Sequence, residues 1–357
     1  MKKTPRVNIN LKTIEENARI MFKDCQENDI KLTGVVKGAA GDVRVAESFV
    51  KGGVKSIGDS RLQNIINMRE AGFAEETVLL RLPQPGEVEE IVQYVDISLV
   101  SEIETIKSLN SAAKDQEKTH GIIIMVDVGD LREGVLPEDL DSFFNEVVGL
   151  DNIKIHGLGT NVGCYGGVLP TRKNTEILVK LKNEVEENFN IDLPLISGGN
   201  TATTRLLQEG MLPEGISNLR VGEAILQGTD ITHQRIIDSL NQDNFTLSAQ
   251  IIELKEKPSV PSGKIGHDAF GNKPEFEDKG RRKRAILAVG RQDVKVDGLV
   301  PLDKPAEILG ASSDHLLVDV TEIERELNLG DELEFRLDYG GMLAVMTSPY
   351  VYKNYIE

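Results

Sequence analysis

The 357-residue sequence has no tryptophan, two cysteines, five histidines and only 4% aromatic residues. Two cysteines, Cys25 and Cys164, give no disulfide framework, and they suit a reducing compartment such as the cytoplasm. No run approaches the ~20 apolar residues of a membrane span, so no membrane partner is expected. Met1-Lys-Lys is followed by Thr-Pro-Arg instead of an apolar core, and no signal peptide is visible. Positive charge is scarce: 41 Lys and Arg face 58 Asp and Glu, a net charge of −17. Nucleic-acid partners need clustered cations, so this balance argues against them. The one dense basic run, Arg281-Arg-Lys-Arg284, precedes the apolar Ala285–Val289. It is expected to form a solvated edge leading into a strand.

What is present is a long alternation. Short apolar runs at Leu32–Lys37, Ser56–Asp59, Val78–Leu82, Ile97–Val100, Ile122–Val128, Lys154–Thr160, Leu193–Ser197 and Leu219–Glu223 predict eight strands. Amphipathic stretches separate many of them, among them Val43–Gly52, Arg61–Gly72, Ser101–Lys118, Leu136–Val148, Thr171–Asn188 and Thr203–Gly210. Asp, Ser or Thr at several starts and glycine at several ends fit helix caps. Alternating strands and helices imply a parallel sheet with right-handed crossovers. Eight units over residues 12–235 have the size of a TIM (β/α)8 barrel, with a doubly wound sheet as the competitor. After about residue 240 the pattern changes. Phe245–Glu256, Arg284–Val289, Leu316–Val320 and Glu332–Leu337 predict strands with turn residues between them, including Gly271-Asn-Lys-Pro274 and the Gly340-Gly341 pair. Val7–Leu11 is another strand. A mostly-β domain of residues 1–11 and 236–357 is therefore expected beside the α/β barrel.

Barrel chemistry lies at the C-terminal ends of the strands. Those positions supply Lys37, Arg81, Asp127 with Arg132, Thr160 with Asn161, Ser197-Gly-Gly-Asn200 and Arg220. Lys37 ends an apolar strand and is followed by Gly38-Ala-Ala-Gly-Asp42, so nothing bulky stands beside its amine. Such an amine can bond covalently to an aldehyde cofactor, although a surface lysine after a buried strand has the same local pattern. The strand-seven loop, Ser197-Gly-Gly-Asn-Thr201, lets backbone amides approach an anion closely. A lysine and an anion cup across one barrel mouth suit pyridoxal 5'-phosphate.

With these residues in place, the sequence resembles the alanine-racemase-like, fold-type III pyridoxal-phosphate enzymes, over its whole length. Within that group it is similar to the ornithine racemases. The matching segments are Met125–Gly134, Gly159–Asn161 with Cys164–Gly167, Ser197–Asn200, Asn218–Ala224, Asp268–Pro274, Gly290–Asp293, Gly310–His315 and Thr347–Tyr350. The resemblance implies an amino-acid racemase acting by α-proton removal and return, in a homodimer whose β domains complete each other's sites. It implies that Lys37 holds the cofactor and works as one acid/base group. Arg220 would meet the pyridine nitrogen and, as a poor proton donor, leave that nitrogen unprotonated. Arg132 would lie near the cofactor's phenolic oxygen or the substrate carboxylate, with Asn161 behind the ring. Ser197, Gly198, Gly199, Asn200 and Thr201 would form the phosphate cup, and Tyr350 would reach in from the C-terminal segment.

Departures from the family pattern matter equally. The tyrosine that follows the reactive lysine in alanine racemases is missing from Gly38–Asp42. The stretch matching their second base is Gly290-Arg291, and arginine is a poor base at neutral pH. Cys164 or Tyr165, and Asp314 or His315, remain as candidates for the second acid/base group, with Cys164 and Asp314 preferred. A basic substrate needs a carboxylate or several carbonyls for its distal amine, and Asp42, Asp293 and Asp314 are the candidate carboxylates. A lyase or a non-catalytic cofactor carrier are the competing readings. The zinc-dependent lyases of this group need histidine and cysteine ligands near the C-terminus. After residue 270 the sequence offers His315 alone, so no metal is expected.

Overall fold

The computed structural model describes residues 3–357. Met1 and Lys2, on which the signal-peptide expectation partly rests, lie outside the described residues. The chain divides into two compact units, Leu11–Gln242 and a second made of residues up to Asn10 with Asp243–Glu357.

The larger unit is a closed barrel of eight parallel strands. We label the N-terminal strand Arg6–Asn10 β1. The barrel strands are then β2 (Lys31–Val35), β3 (Ser56–Asp59), β4 (Glu76–Leu79), β5 (Ile97–Val100), β6 (His120–Met125), β7 (Ile153–Gly159), β8 (Leu195–Ser197) and β9 (Asn218–Val221). β2, β4, β6 and β9 stop two or three residues short of the sequence expectation. The last polar residues of the predicted runs bend out of the ladder to form the mouth. Lys37 is one of them: it opens a one-turn 3-10 helix, Lys37–Ala39, instead of ending the strand.

The helices form for local reasons. Leu11–Gln26 buries Ile14, Ala18, Met21 and Cys25, a stripe at helical spacing that faces the barrel. Helix Val43–Lys51 is started by Asp42, whose side chain accepts from the amides of Arg44 and Val45 at 3.1 and 3.2 Å. It buries Phe49 completely, and truncation of such a ring to alanine costs about 3–5 kcal/mol. Helix Arg172–Phe189 begins with a reciprocal Thr171–Asn174 capping box. Inside the barrel an apolar cluster of Val78, Ile97, Leu99, Ile123 and Met125 fills one side. The other side is polar: Asn218 on β9 donates to the Thr33 hydroxyl of β2 at 3.0 Å, and Thr33 donates to Ser56 of β3 at 3.3 Å.

The second unit is an antiparallel sheet centred on the long strand Phe245–Pro258, which pairs with β1, Arg281–Leu287 and Glu332–Leu337. β1 also pairs in parallel with Tyr352–Ile356, which ties the two ends of the chain into one sheet. Two sequence expectations fail here. The Arg281–Arg284 run is not an edge before a strand but part of the strand itself. Arg282 pairs with Asp319 and Glu322, and Arg284 donates to the Ser259 carbonyl. Gly340 and Gly341 are not a turn. They lie in helix Tyr339–Thr347, capped by Asp338, which accepts from the Gly341 amide. No helix among the described residues is long and apolar enough to cross a membrane.

Candidate active site

Parallel pairing sends every barrel strand's C-terminal end to the same mouth, so residues far apart in sequence converge there. Arg220 on β9 is buried and occupies the side formed by β7, β8 and β9. It donates to the Thr160 carbonyl at 2.6 Å and to the Ser197 hydroxyl, while Ser197 in turn donates to Asn218. Burial pulls the Arg220 guanidinium down to about 10, against the favourable charge of Glu133, so it is still a cation at neutral pH. A group this fixed and this rarely deprotonated supplies a permanent donor at the base of the mouth.

Ser197-Gly-Gly-Asn-Thr201 turns from β8 into the 3-10 segment Thr201–Thr203. Gly199 sits at φ +135°, and a Cβ there would fall 2.2 Å from the Thr203 hydroxyl. Only glycine fits that conformation and that contact. Asn200 organises the turn. Its carbonyl accepts from the Ala202 amide at 2.9 Å, and its amide donates to Asn161 Oδ1, the Val162 carbonyl and Cys164 Sγ at 3.1, 2.7 and 3.5 Å. The Thr201 hydroxyl accepts from the Ala224 amide at 3.4 Å, which links this turn to the segment after β9. Asn161 therefore has its oxygen occupied, while its Nδ2 is buried with no partner. A buried donor without an acceptor is costly, and a ligand oxygen is the natural remedy.

The loop carrying Cys164 is held from beneath. Asp130, 1% exposed, accepts from the backbone amides of Gly163, Cys164, Tyr165 and Val168. Burial works to raise this carboxyl, but the ring of amide donors prevails and holds it below the usual carboxylate range. Cys164 and Tyr165 are themselves exposed. Arg132 and Glu133 form an ion pair on the loop after β6, with the Glu133 side chain 12% exposed. Lys37 is half-buried.

The barrel thus gathers Lys37, Arg132, Asn161, Cys164, the Ser197–Thr201 turn and Arg220 at one mouth. Asp314 and Tyr350 belong to the other unit. Asp314 lies in a turn with Ser312, Ser313 and His315, and hydrogen bonds from the Ser313 hydroxyl and His315 hold it below the usual range. Tyr350 is exposed, and its amide donates to Ser348 Oγ at 3.1 Å. Arg291 stacks on Phe270, 4.7 Å from the ring centre. Of the carboxylates considered for a distal amine, Asp42 is a helix cap and Asp293 accepts from Ser348. Sequence reasoning missed Asp59, Asp130 and Glu133. Asp130 acts on amides 33 to 38 residues away, whereas Asp59 and Glu133 bind near neighbours in sequence without forming a recognisable motif.

The parallel barrel carries a lysine past its first strand, a buried arginine on its last and a glycine-rich turn after the strand before that. Residues 9–229 match the family model described as alanine racemase, N-terminal domain, and the chain belongs to that family. It is 45% identical to an ornithine racemase of Acetoanaerobium sticklandii, over 98% of this chain and 99% of the relative. It is also 45% identical to a lysine racemase of Thermotoga maritima, over 98% of both chains. The solved alanine racemase of Clostridium difficile 630 superposes with a TM-score of 0.79 at 19% identity, covering 100% of this chain and 97% of that one. At that identity the superposition speaks for the fold.

Proposed function

We propose that this chain is a pyridoxal-phosphate-dependent racemase of basic amino acids, interconverting the L and D forms of ornithine or lysine. The observation that carries the reading is that Lys37 follows the end of β2 while Arg220 lies on β9, the neighbouring strand of the same closed barrel. The two full-length relatives act on these two substrates and are equally similar to this chain.

The residues present fit the cofactor. The unpartnered Asn161 amide offers a free donor, Gly199 offers space and Arg220 offers a permanent positive charge, and these suit the group. When bound, the cofactor ring withdraws electrons and stabilises negative charge at the substrate α-carbon. Lys37 would hold the cofactor through its amine and would move a proton at that carbon from one face. Arg220, a poor proton donor, would meet the ring nitrogen and leave it unprotonated, which would favour return of the proton to the α-carbon. Ser197, Gly198, Gly199, Asn200 and Thr201 would hold the phosphate, Asn161 would back the ring, and Arg132 would lie near the phenolic oxygen or the substrate carboxylate.

Racemisation needs a second proton carrier on the opposite face. Cys164, touched by the Asn200 amide, is the barrel's candidate, and Asp314 is the candidate from a partner subunit. In this reading the chain is a cytoplasmic homodimer, and Tyr350 and Asp314 serve the partner's site. For the substrate's distal ammonium we favour Glu133: Asp127 and Asp130 at the same mouth are held by backbone amides of their own fold, whereas Glu133 meets only the side chain of its neighbour Arg132 among the hydrogen bonds described. Glu133→Gln should lower turnover of ornithine and lysine far more than that of alanine. An equal loss for all three would remove Glu133 from recognition.

Lys37→Ala tests the reading as a whole. It should abolish turnover and leave no cofactor attached after borohydride reduction, whereas wild type becomes covalently labelled at Lys37. Labelling that persists in the variant refutes the assignment.

A further inference from the structure

The end of the barrel away from the mouth holds a second polar cleft. It lies beneath the starts of β5, β6 and β7, and its volume is about 580 Å³. Three cations line it, Arg69, Lys118 and Lys154, against a single carboxylate, Asp96. That balance is the reverse of the whole chain, in which Asp and Glu outnumber Lys and Arg by 58 to 41. Arg69 and Asp96 are paired with each other, and Asp96 Oδ2 also accepts from the Thr77 amide and hydroxyl at 2.7 and 3.1 Å. The charge left over in the cleft is positive.

Three features shape a place for an anion. Lys118 is fixed, because its Nζ donates to the carbonyls of Val92 and Gln93, both at 3.2 Å. An ammonium has three hydrogens, so one is left over. His120 is 2% exposed, with its Nε2 2.9 Å from Ser98 Oγ and its Nδ1 without a partner among the described residues. His156 is placed by a bulge: Ile122 of β6 pairs with Ile155 and Ile123 with Gly157, so His156 is the extra residue on β7. Two glycines make this possible. Gly157 sits at φ +155°, where a Cβ would fall 1.7 Å from the Leu195 carbonyl oxygen, and a Cβ on Gly121 would fall 2.8 Å from His156 Nε2. The imidazole therefore rests on bare β6 backbone, and Lys154 lies opposite the same Gly121 in the register. Burial and then the charge of Lys154 hold His156 below its ordinary value, with Glu76, itself paired to Lys31, acting the other way. Neither the His156 ring nor the Lys154 ammonium has a hydrogen-bond partner among the described residues.

We propose that this cleft is a second binding site, for a small molecule bearing a phosphate or carboxylate group, seated between Lys118, Lys154 and His156 with the buried His120 beneath it. The two ammonium groups supply charge. The third Lys118 hydrogen and an imidazole N–H supply directed donors, and hydrogen bonds from charged groups to such oxygens are the strong ones. The site lies at the opposite ends of the strands from the mouth. The inference does not rest on pyridoxal phosphate binding or on racemase activity.

Histidine NMR tests it, because the chain has five histidines and only His120 and His156 line the cleft. His156→Asn and His120→Gln assign the two signals, and His233, His267 and His315 serve as controls. Protein saturated with pyridoxal phosphate, so that the mouth is filled, is titrated at constant pH with sodium phosphate or sodium citrate, against sodium chloride of equal ionic strength. The His120 and His156 signals should move saturably with an oxyanion and not with chloride, and the anion acting at the lower concentration names the preferred group. Lys154 is exposed, so Lys154→Gln should fold, and it should raise the half-saturating concentration about 10-fold or more. Movement that chloride reproduces, no saturable movement, or an unchanged half-saturation in Lys154→Gln would overturn the site and leave a patch of solvated charge. Should the protein take up no pyridoxal phosphate, the same titration without it decides the matter, since both reporters belong to this end of the barrel.

Discussion

The Arg220 guanidinium reaches from β9 past the end of β8 to the carbonyl of Thr160, 2.6 Å away, beyond the end of β7. One side chain thereby fastens three successive strand ends while pointing its charge into the mouth. The Ser197 hydroxyl takes another of its hydrogens and the Asn218 side chain completes the chain of bonds. The cation at the base of the site is also a structural rivet.

Arg220→Lys should therefore fail twice. An ammonium cannot serve Thr160 and Ser197 together through a planar fork, so buried acceptors lose their donor. We expect a loss of about 1–3 kcal/mol in stability, read by chemical denaturation. Turnover should fall further than that loss explains, because the lysine does not hold the donor geometry. Wild-type turnover in a stably folded Arg220→Lys protein would contradict the role given to the guanidinium.

Asp130 makes a second prediction. Its carboxylate accepts from four amides of the 163–168 loop, so Asp130→Asn leaves several of them without a charged acceptor. Hydrogen exchange at Gly163, Cys164, Tyr165 and Val168 should accelerate by about 10-fold or more, at about 1–3 kcal/mol of local stability. Exchange in helix Arg172–Phe189 should change little. Because the folded carboxyl titrates below its unfolded value, this contribution is present at neutral pH and is lost as pH falls through the folded pKa. Unaltered exchange in the loop would show that other contacts hold it.

Much of this architecture was legible in the sequence, and the reasons are specific. β3, β5 and the strand Glu332–Leu337 appear where their apolar runs predicted. Burial on both faces, or strict alternation in the last case, leaves a plain pattern. Lys37 and the glycine turn stood at the ends of apolar runs, where barrel chemistry is found, and Arg220 was the one cation within the last run. Pairings across the fold left no such trace. Asp130 and Val168 are 38 residues apart, and nothing local in Gly129-Asp-Leu131 marks the aspartate as a clamp. Gly340-Gly341 misled in the other direction. A Cβ on Gly341 would lie 2.7 Å from the Gly298 carbonyl, so that glycine answers a close approach within a helix and not the needs of a turn.

His120 gives the pH dependence. It is buried at the start of β6 with Ser98 Oγ 2.9 Å from its Nε2, and burial lowers it to about 4. The unfolded chain, titrating near 6.5, binds the proton first as pH falls. Stability should drop between about pH 6.5 and 4 by about 3 kcal/mol at most, and flatten below that. His120→Gln, which can still meet Ser98, should remove that part of the acid sensitivity in urea titrations. An unchanged slope in the variant would assign the acid response to other groups.

The most direct test of the central claim is chiral analysis of products from cofactor-loaded protein given L-ornithine, L-lysine or L-alanine singly. The account predicts D-ornithine or D-lysine well ahead of D-alanine, with Lys37→Ala inactive on all three. D-alanine formed fastest, or no D product from a protein that carries its cofactor, would contradict it.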